Sequence, residues 1–175
     1  MPRLTLATVA ALLCLSHGSL LACEPRRQGE ERPPEDRPVS VSDQDSLREF
    51  EEALRPCIAR ARETYPAARE RFSEGLPPGH TFYVVARVSD AKGRFEQVFV
   101  RVDALEGRVA EGVIASEIQL VEGFAHGDRI SVGEDDVLDW LISRPDGGEE
   151  GNLLGKYLDR LQDGIAGPVC DPDAI

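Results

Sequence analysis

The sequence predicts an α+β domain: a kinked N-terminal helix or helix pair packed on a small antiparallel sheet of about four to five strands, with a short C-terminal helix. Three observations predict this architecture. Apolar residues recur every three or four positions between Leu47 and Phe72, alternate along residues 98–102, and return to helical spacing in residues 153–162. A helix followed by a run of strands is typical of an α+β domain.

The first helical segment carries one apolar stripe, which we expect to face the core. Its members are Leu47, Phe50, Leu54, Cys57, Ile58, Ala61, Tyr65, Ala68 and Phe72. Asp43, Asp45 and Ser46 precede it and offer N-cap oxygens. Because Pro56 and Pro66 each remove a backbone donor, we expect a kinked helix, or two to three consecutive helices, ending near Gly75. Glu51 and Arg55 are four residues apart and can pair on the solvent side.

The strand-forming part begins with residues 82–89 and 95–102, which are rich in Val, Phe and Tyr. The intervening Asp90–Gly93 stretch fits a type I turn, so these two segments predict a hairpin. We predict further strands at residues 108–115 and 128–132, an element of ambiguous type at 134–143, a loop at 145–152 and a helix at 153–162.

The first residues have the pattern of a bacterial export signal. Arg3 precedes an uncharged, mostly apolar run over residues 4–15, which is shorter than the ~20 residues of a membrane span. Residues 20–23, Leu-Leu-Ala-Cys, then resemble the lipobox of bacterial lipoproteins, a likeness that implies cleavage before Cys23 and acylation (palmitate) of this residue. A plain secretory signal and a structural apolar helix remain alternatives. The Glu24 that follows favours the outer membrane over the inner one.

This resemblance divides the chain into a signal peptide over residues 1–22, a lipidated tether over 23–42 and a single domain over 43–175. Four prolines among charged residues make the 24–42 segment a predicted disordered tether. The net charge of −12 argues against nucleic acid as a partner and against electrostatic attraction to an anionic membrane. The lipid anchor is therefore the expected link to the cell envelope.

The cysteines predict a disulfide. Cleavage would remove Cys14 and leave the lipidated Cys23 together with Cys57 and Cys170. Two cysteines then remain free to pair, and in an oxidising compartment this favours a Cys57–Cys170 bond. Two separate buried thiols are the alternative.

Several stretches, taken in order, resemble the YegJ-like domain of unknown function (DUF2314) of bacteria. They are "ARARETYPAARERF", "PPGHTFYVVARVSDAKGRFEQVFVRV", "GDRISVGEDDVLDW" and "LLGKY", within residues 57–160. The resemblance implies a fold and no mechanism. The family usually has a Glu-His-aromatic cluster in the second strand, whereas this chain has Glu96-Gln97-Val98-Phe99.

The sequence contains no metal-binding or nucleophile motif, so we predict no metal site and no cofactor. His126 and Asp128 are two residues apart and could form an oriented base with Asp139 nearby. The acidic run at 134–136 with Asp139 is better explained by a helix start than by calcium. Asp139 and Trp140 form a candidate binding pair, although an indole more often fills a core.

Three functions are compatible with these observations. The first is a non-enzymatic interaction module that binds an envelope protein or polymer through an exposed aromatic patch. The candidate binding residues are Phe99, Asp128, Asp139, Trp140, Gly155 and Tyr157. The second is a hydrolase-like enzyme that uses His126, Asp128 and Asp139. The third is an immunity-type protein whose acidic face covers a basic toxin.

Overall fold

The structure is a computed structural model that describes residues 43–165 together with Cys170. The predicted signal peptide, the lipidated Cys23 and the tether lie outside the described residues.

The domain begins with one long helix, α1, at Gln44–Glu74. Asp43 caps it as expected, because its carboxylate accepts a hydrogen bond from the Ser46 N–H at 2.8 Å. The alternative of two to three helices is wrong, since the helix continues through both Pro56 and Pro66. Both prolines lie on the exposed side, where water can satisfy the carbonyls that they leave without a donor, and the opposite stripe holds the helix to the core.

Six antiparallel strands form the sheet, in the order β4-β3-β2-β1-β5-β6. Their bounds are Thr81–Ser89 (β1), Phe95–Glu106 (β2), Val109–Ile114 (β3), Arg129–Gly133 (β4), Asp139–Ser143 (β5) and Glu149–Gly151 (β6). The prediction of four to five strands is therefore too low. The missed strand, β6, lies inside the segment predicted to be a loop.

The β1–β2 hairpin forms where the sequence predicts it. The Gly93 N–H donates to the Asp90 carbonyl at 3.0 Å, which closes the predicted four-residue turn. The sequence leaves residues 134–143 open between a short turn of helix and a strand. They contain one of each: a 3₁₀ turn at Glu134–Asp136 and then β5.

The core lies between one face of the sheet and the two helices, α1 and α2 (Leu153–Gln162). The α1 residue Tyr65 stacks on Phe82 of β1, with ring centroids 6.3 Å apart. Side chains alternate along each strand, so Tyr83 and Phe99 belong to the other face, where their rings meet edge to face at 6.5 Å.

A crossover over residues 134–138 connects β4, at one edge of the sheet, to β5, which lies four positions away. Arg62 of α1 holds this crossover: its guanidinium donates to the carbonyls of Val137 at 2.8 Å and Asp135 at 2.9 Å. The helix and the crossover are thereby fixed to each other.

The predicted Cys57–Cys170 disulfide is present and joins the middle of α1 to a residue 113 positions later. Neither α1 nor α2 combines the length and the apolar composition needed to cross a membrane, among the residues that the structure describes.

Candidate functional site

An open cleft of about 610 Å³ lies where α1, β1, β4 and the 134–138 crossover meet. We call it the α1 cleft. Its apolar lining consists of Leu54, Ile58, Ala86, Val88, Phe124, Ile130, Val132 and Leu138. Its polar and charged lining consists of Glu51, Arg55, Arg62, Arg87, Ser89, Gln97, Ser131, Asp135 and Asp136. Its volume is in the range of sites that hold small ligands or short peptide segments.

Some charged side chains of the α1 cleft have ion-pair partners among the described residues, and others do not. Glu51 pairs with Arg87 at 2.7 Å, so the predicted Glu51–Arg55 pair does not form and that expectation is wrong. Arg87 is the stronger competitor because it also lies 4.1 Å above the Phe95 ring, which fixes its guanidinium. Among the described residues, Arg55 forms no hydrogen bond or ion pair.

Asp136 provides the corresponding unpaired anion at the rim. Its neighbour Asp135 binds Arg108 at 2.9 Å, whereas Asp136 has no hydrogen bond or ion pair within the described part of the chain. The rim therefore presents one cation and one anion to whatever enters.

One wall of the α1 cleft is a loop over residues 115–128, which carries Phe124. Glu96 of β2 holds this loop by accepting hydrogen bonds from three successive backbone N–H groups at 2.8–3.0 Å, those of Gln119, Leu120 and Val121. Desolvation acts to raise the pKa of Glu96, but these three donors and the nearby Arg94 outweigh it, so the pKa lies below that of an ordinary glutamate.

Asp90 holds the same loop from the hairpin turn. Its carboxylate accepts a hydrogen bond from the Glu122 N–H at 3.3 Å and pairs with Arg94 at 2.6 Å. Desolvation opposes ionisation here too, but Arg94 and the backbone donors lower the pKa of Asp90 to about 2. The loop is thus fixed by two ionised carboxylates at neutral pH.

Four of the six predicted binding residues meet at the junction of β5 and α2. Asp139 is fully buried, and its carboxylate accepts the N–H groups of Trp140 and Leu154, both at 2.7 Å. It therefore caps α2 from a neighbouring strand. Burial raises the pKa of Asp139 to about 7, against the opposing pull of these N–H groups and of Lys156.

Asn152 and Gly155 complete this junction. Asn152 has a left-handed backbone (φ 55°), and its buried Oδ1 has no hydrogen-bond partner among the described residues. A Cβ on Gly155 would collide with that same Oδ1. The glycine in the "LLGKY" stretch is thereby explained as a packing requirement.

Trp140 and Tyr157 are core residues. They are 7% and 8% exposed, and the indole N–H donates to the Thr64 hydroxyl at 2.9 Å. The expectation of an exposed aromatic patch at these two residues is wrong. Trp140 is buried because α1 and α2 cover the side of β5 from which the indole projects. The local sequence does not reveal this cover.

The remaining candidates lie elsewhere. Phe99 is half-buried on the other face of the sheet. Asp128 accepts the Ala125 N–H at 2.8 Å within a turn, and His126 Nδ1 lies 3.2 Å from the Ala115 carbonyl. Because four inter-strand spacings separate β4 from β5, Asp128 and Asp139 are roughly 19 Å apart across the sheet. The proposed catalytic set is not brought together.

Two members of the acidic run, Glu134 and Asp135, are engaged in ion pairs. Arg108 donates to Glu134 at 3.0 Å as well as to Asp135. No group of three or more His, Cys, Asp or Glu side chains in the described part of the chain is arranged to hold a metal ion.

The fold and the α1 cleft define an α+β domain with an open, mixed-charge cleft on the helical side of its sheet. The chain belongs to the DUF2314 family, described as an uncharacterized protein conserved in bacteria, whose family model matches residues 51–160. The predicted family is thereby confirmed. No curated protein and no solved structure matches the chain.

Sequence reasoning missed the α1 cleft. Its lining comes from α1, three strands, a loop and the crossover, and none of these segments contains a local motif. The one available signal was the presence of arginines in the middle of the helical stretch, Arg55 and Arg62 among them.

Proposed function

We propose that this protein is an envelope lipoprotein, anchored through an acylated Cys23, whose domain over residues 43–175 binds an envelope protein or polymer without catalysis. The α1 cleft is the proposed binding site. The observation that carries the proposal is this cleft, with its apolar floor and with two charges, on Arg55 and Asp136, that pair with no described residue.

The Cys57–Cys170 disulfide supports the location outside the cytoplasm. Structural disulfides persist in oxidising compartments and are rare where glutathione keeps thiols reduced. The bond therefore agrees with the export signal and the Leu-Leu-Ala-Cys stretch of the sequence. Acyl chains on Cys23 would hold the acidic domain at a membrane that does not attract it by charge.

The geometry supports binding in preference to chemistry. The candidate base, His126, lies in the loop before β4, whereas the buried Asp139 lies in β5 and is used to cap α2. In contrast, Ile58, Phe124 and Leu138 are partly exposed and provide apolar surface that a partner could cover, and Arg55 lies at its rim.

Site-specific photocrosslinking in intact cells tests the proposal. A benzoylphenylalanine is placed at position 55, at the rim of the α1 cleft, or at position 70, which is exposed near the other end of the same helix. We expect a discrete adduct of higher mass from position 55 and none from position 70. A second substitution, Ile58→Trp, fills the cleft and should abolish the adduct.

Equal labelling from both positions, or an adduct at position 55 that persists in the Ile58→Trp background, would contradict the assignment of the α1 cleft as the binding site.

A further inference from the structure

One edge of the sheet, next to the α1 cleft, has backbone groups that bond to none of the residues in the described part of the chain. The Glu134 N–H donates to the Arg108 carbonyl at 2.8 Å. Because hydrogen-bonded residue pairs alternate along antiparallel strands, this bond determines which β4 residues bond to β3. Ile130 therefore bonds to β3, and the backbone N–H and C=O groups of Arg129 and Ser131 point away from β3. No described residue bonds to these four groups.

The open edge and the α1 cleft are continuous. Ser131, whose backbone faces outward, also lines the cleft, and so do its neighbours Ile130 and Val132. A strand added beside β4 would place alternate side chains on the same side of the sheet as Ile130 and Val132. Those side chains would enter the cleft beside Leu138 and Phe124.

The charges around the α1 cleft suit a chain that carries both signs. Arg55 offers a guanidinium and Asp136 a carboxylate, and neither is engaged within the described residues. A purely anionic ligand would leave Asp136 facing like charge, and a purely cationic ligand would do the same to Arg55. An extended peptide with an apolar side chain between an acidic and a basic one satisfies both groups.

We propose that the α1 cleft binds an extended segment of another protein, which adds to the sheet as a seventh strand along β4. Main-chain hydrogen bonds to Arg129 and Ser131 supply affinity, and the cleft selects the side chains. This inference rests on the proposed function and names the chemistry of its partner.

A peptide selection tests the inference. Randomised peptides displayed on phage are selected on the purified full-length mature protein in detergent, and the enriched peptides are synthesised. Their affinity is measured by fluorescence anisotropy for the wild type and two variants. Ser131→Pro removes the outward N–H and leaves the ladder to β3 intact, since that N–H does not bond to β3. Ser131→Ala is the matched control.

We expect peptides that bind the wild type, bind Ser131→Ala within about twofold, and bind Ser131→Pro roughly tenfold more weakly. Hydrogen exchange on the wild type gives a second readout that does not depend on the folding of a variant. Bound peptide should slow exchange at the amides of Arg129 and Ser131.

Failure to select any peptide, or peptides that bind without protecting these two amides, would overturn strand addition. An adduct at position 55 in cells together with a failed selection would leave the binding function in place and assign the cleft a partner of other chemistry. Loss of both would remove the binding function as well.

Discussion

Asp139 is the residue on which the β5–α2 junction depends. It is a buried carboxyl that satisfies two backbone donors, one of them at the start of α2. The N-cap residue itself, Asn152, makes no side-chain capping bond. Removing the Asp139 carboxylate would therefore leave buried N–H groups without an acceptor.

We predict that Asp139→Asn lowers the free energy of unfolding by about 1–3 kcal/mol, because the amide nitrogen cannot accept a backbone N–H. Since burial raises the Asp139 pKa to about 7, the folded protein holds a proton that the unfolded chain releases between about pH 4 and pH 7. The contribution of Asp139 is therefore largest below pH 4 and declines as pH rises to 7. Urea denaturation of both proteins across this range measures the difference.

Asp128→Asn is the matched control, because Asp128 also accepts a backbone N–H but is exposed. Its effect should stay within about 1 kcal/mol. An unchanged slope of stability against pH in Asp139→Asn would show that this carboxyl does not titrate as described.

Asn152 and Gly155 form a coupled pair at the same junction. We predict that Gly155→Ala destabilises the protein by about 1–3 kcal/mol, because its Cβ meets Asn152 Oδ1. Asn152→Gly removes that oxygen and suits the left-handed backbone, so it should cost little alone and should rescue Gly155→Ala. Thermal denaturation of the wild type, the two single variants and the double variant gives a double-mutant cycle. Strictly additive effects would mean that the two residues do not collide.

At the scale of elements, the loop over residues 115–128 depends on a strand carboxylate. We predict that Glu96→Ala speeds hydrogen exchange at the amides of Gln119, Leu120 and Val121 by roughly tenfold, because each loses its acceptor. Since the Glu96 pKa is lowered, its contribution exists above the pKa of the unfolded chain and is lost as pH falls through the lowered value.

Glu111→Ala serves as the comparison, since the Glu111 carboxylate accepts the Ser131 hydroxyl and no loop N–H. Unaltered exchange at the three amides in Glu96→Ala would refute the role of Glu96 in holding the loop.

Elements with a strong pattern could be predicted, and those fixed by tertiary pairing could not. The period of α1 and the Asp90–Gly93 turn act locally, and the structure confirms both. The continuity of α1 through Pro56 and Pro66 depends on the packing of its opposite side. Strand β6 carries Glu149, Glu150 and Gly151, with no apolar alternation, and exists because it pairs with β5.

The candidate site also has features that the sequence could indicate and features that depend on tertiary packing. The sequence marked Asp139, Trp140, Gly155 and Tyr157 as candidate binding residues and favoured a core position for the indole, but it could not tell that all four meet at the β5–α2 junction. The α1 cleft arises from six elements of the fold, so no short window of sequence contains it. Even the Arg55 charge was misjudged, because its local partner Glu51 bonds to a residue 36 positions away.

For the whole molecule, the disulfide joins α1 to the chain beyond α2. We predict that the double variant Cys57→Ala, Cys170→Ala loses about 2–5 kcal/mol of unfolding free energy, since the bond closes a loop of 113 residues. Urea denaturation with and without reductant measures the loss: reductant should destabilise the wild type to a similar extent and leave the double variant unchanged. Equal stability of oxidised and reduced wild type would contradict a structural role.

The central claim is that this domain is held outside the cytoplasm by lipid on Cys23, and the intact mass of the protein extracted from bacterial membranes tests it most directly. The account predicts a chain that begins at Cys23, carries acyl groups there, and is two hydrogens lighter than its reduced form because Cys57 and Cys170 are joined. A chain that retains residues 1–22, or one with an unmodified Cys23, would contradict it.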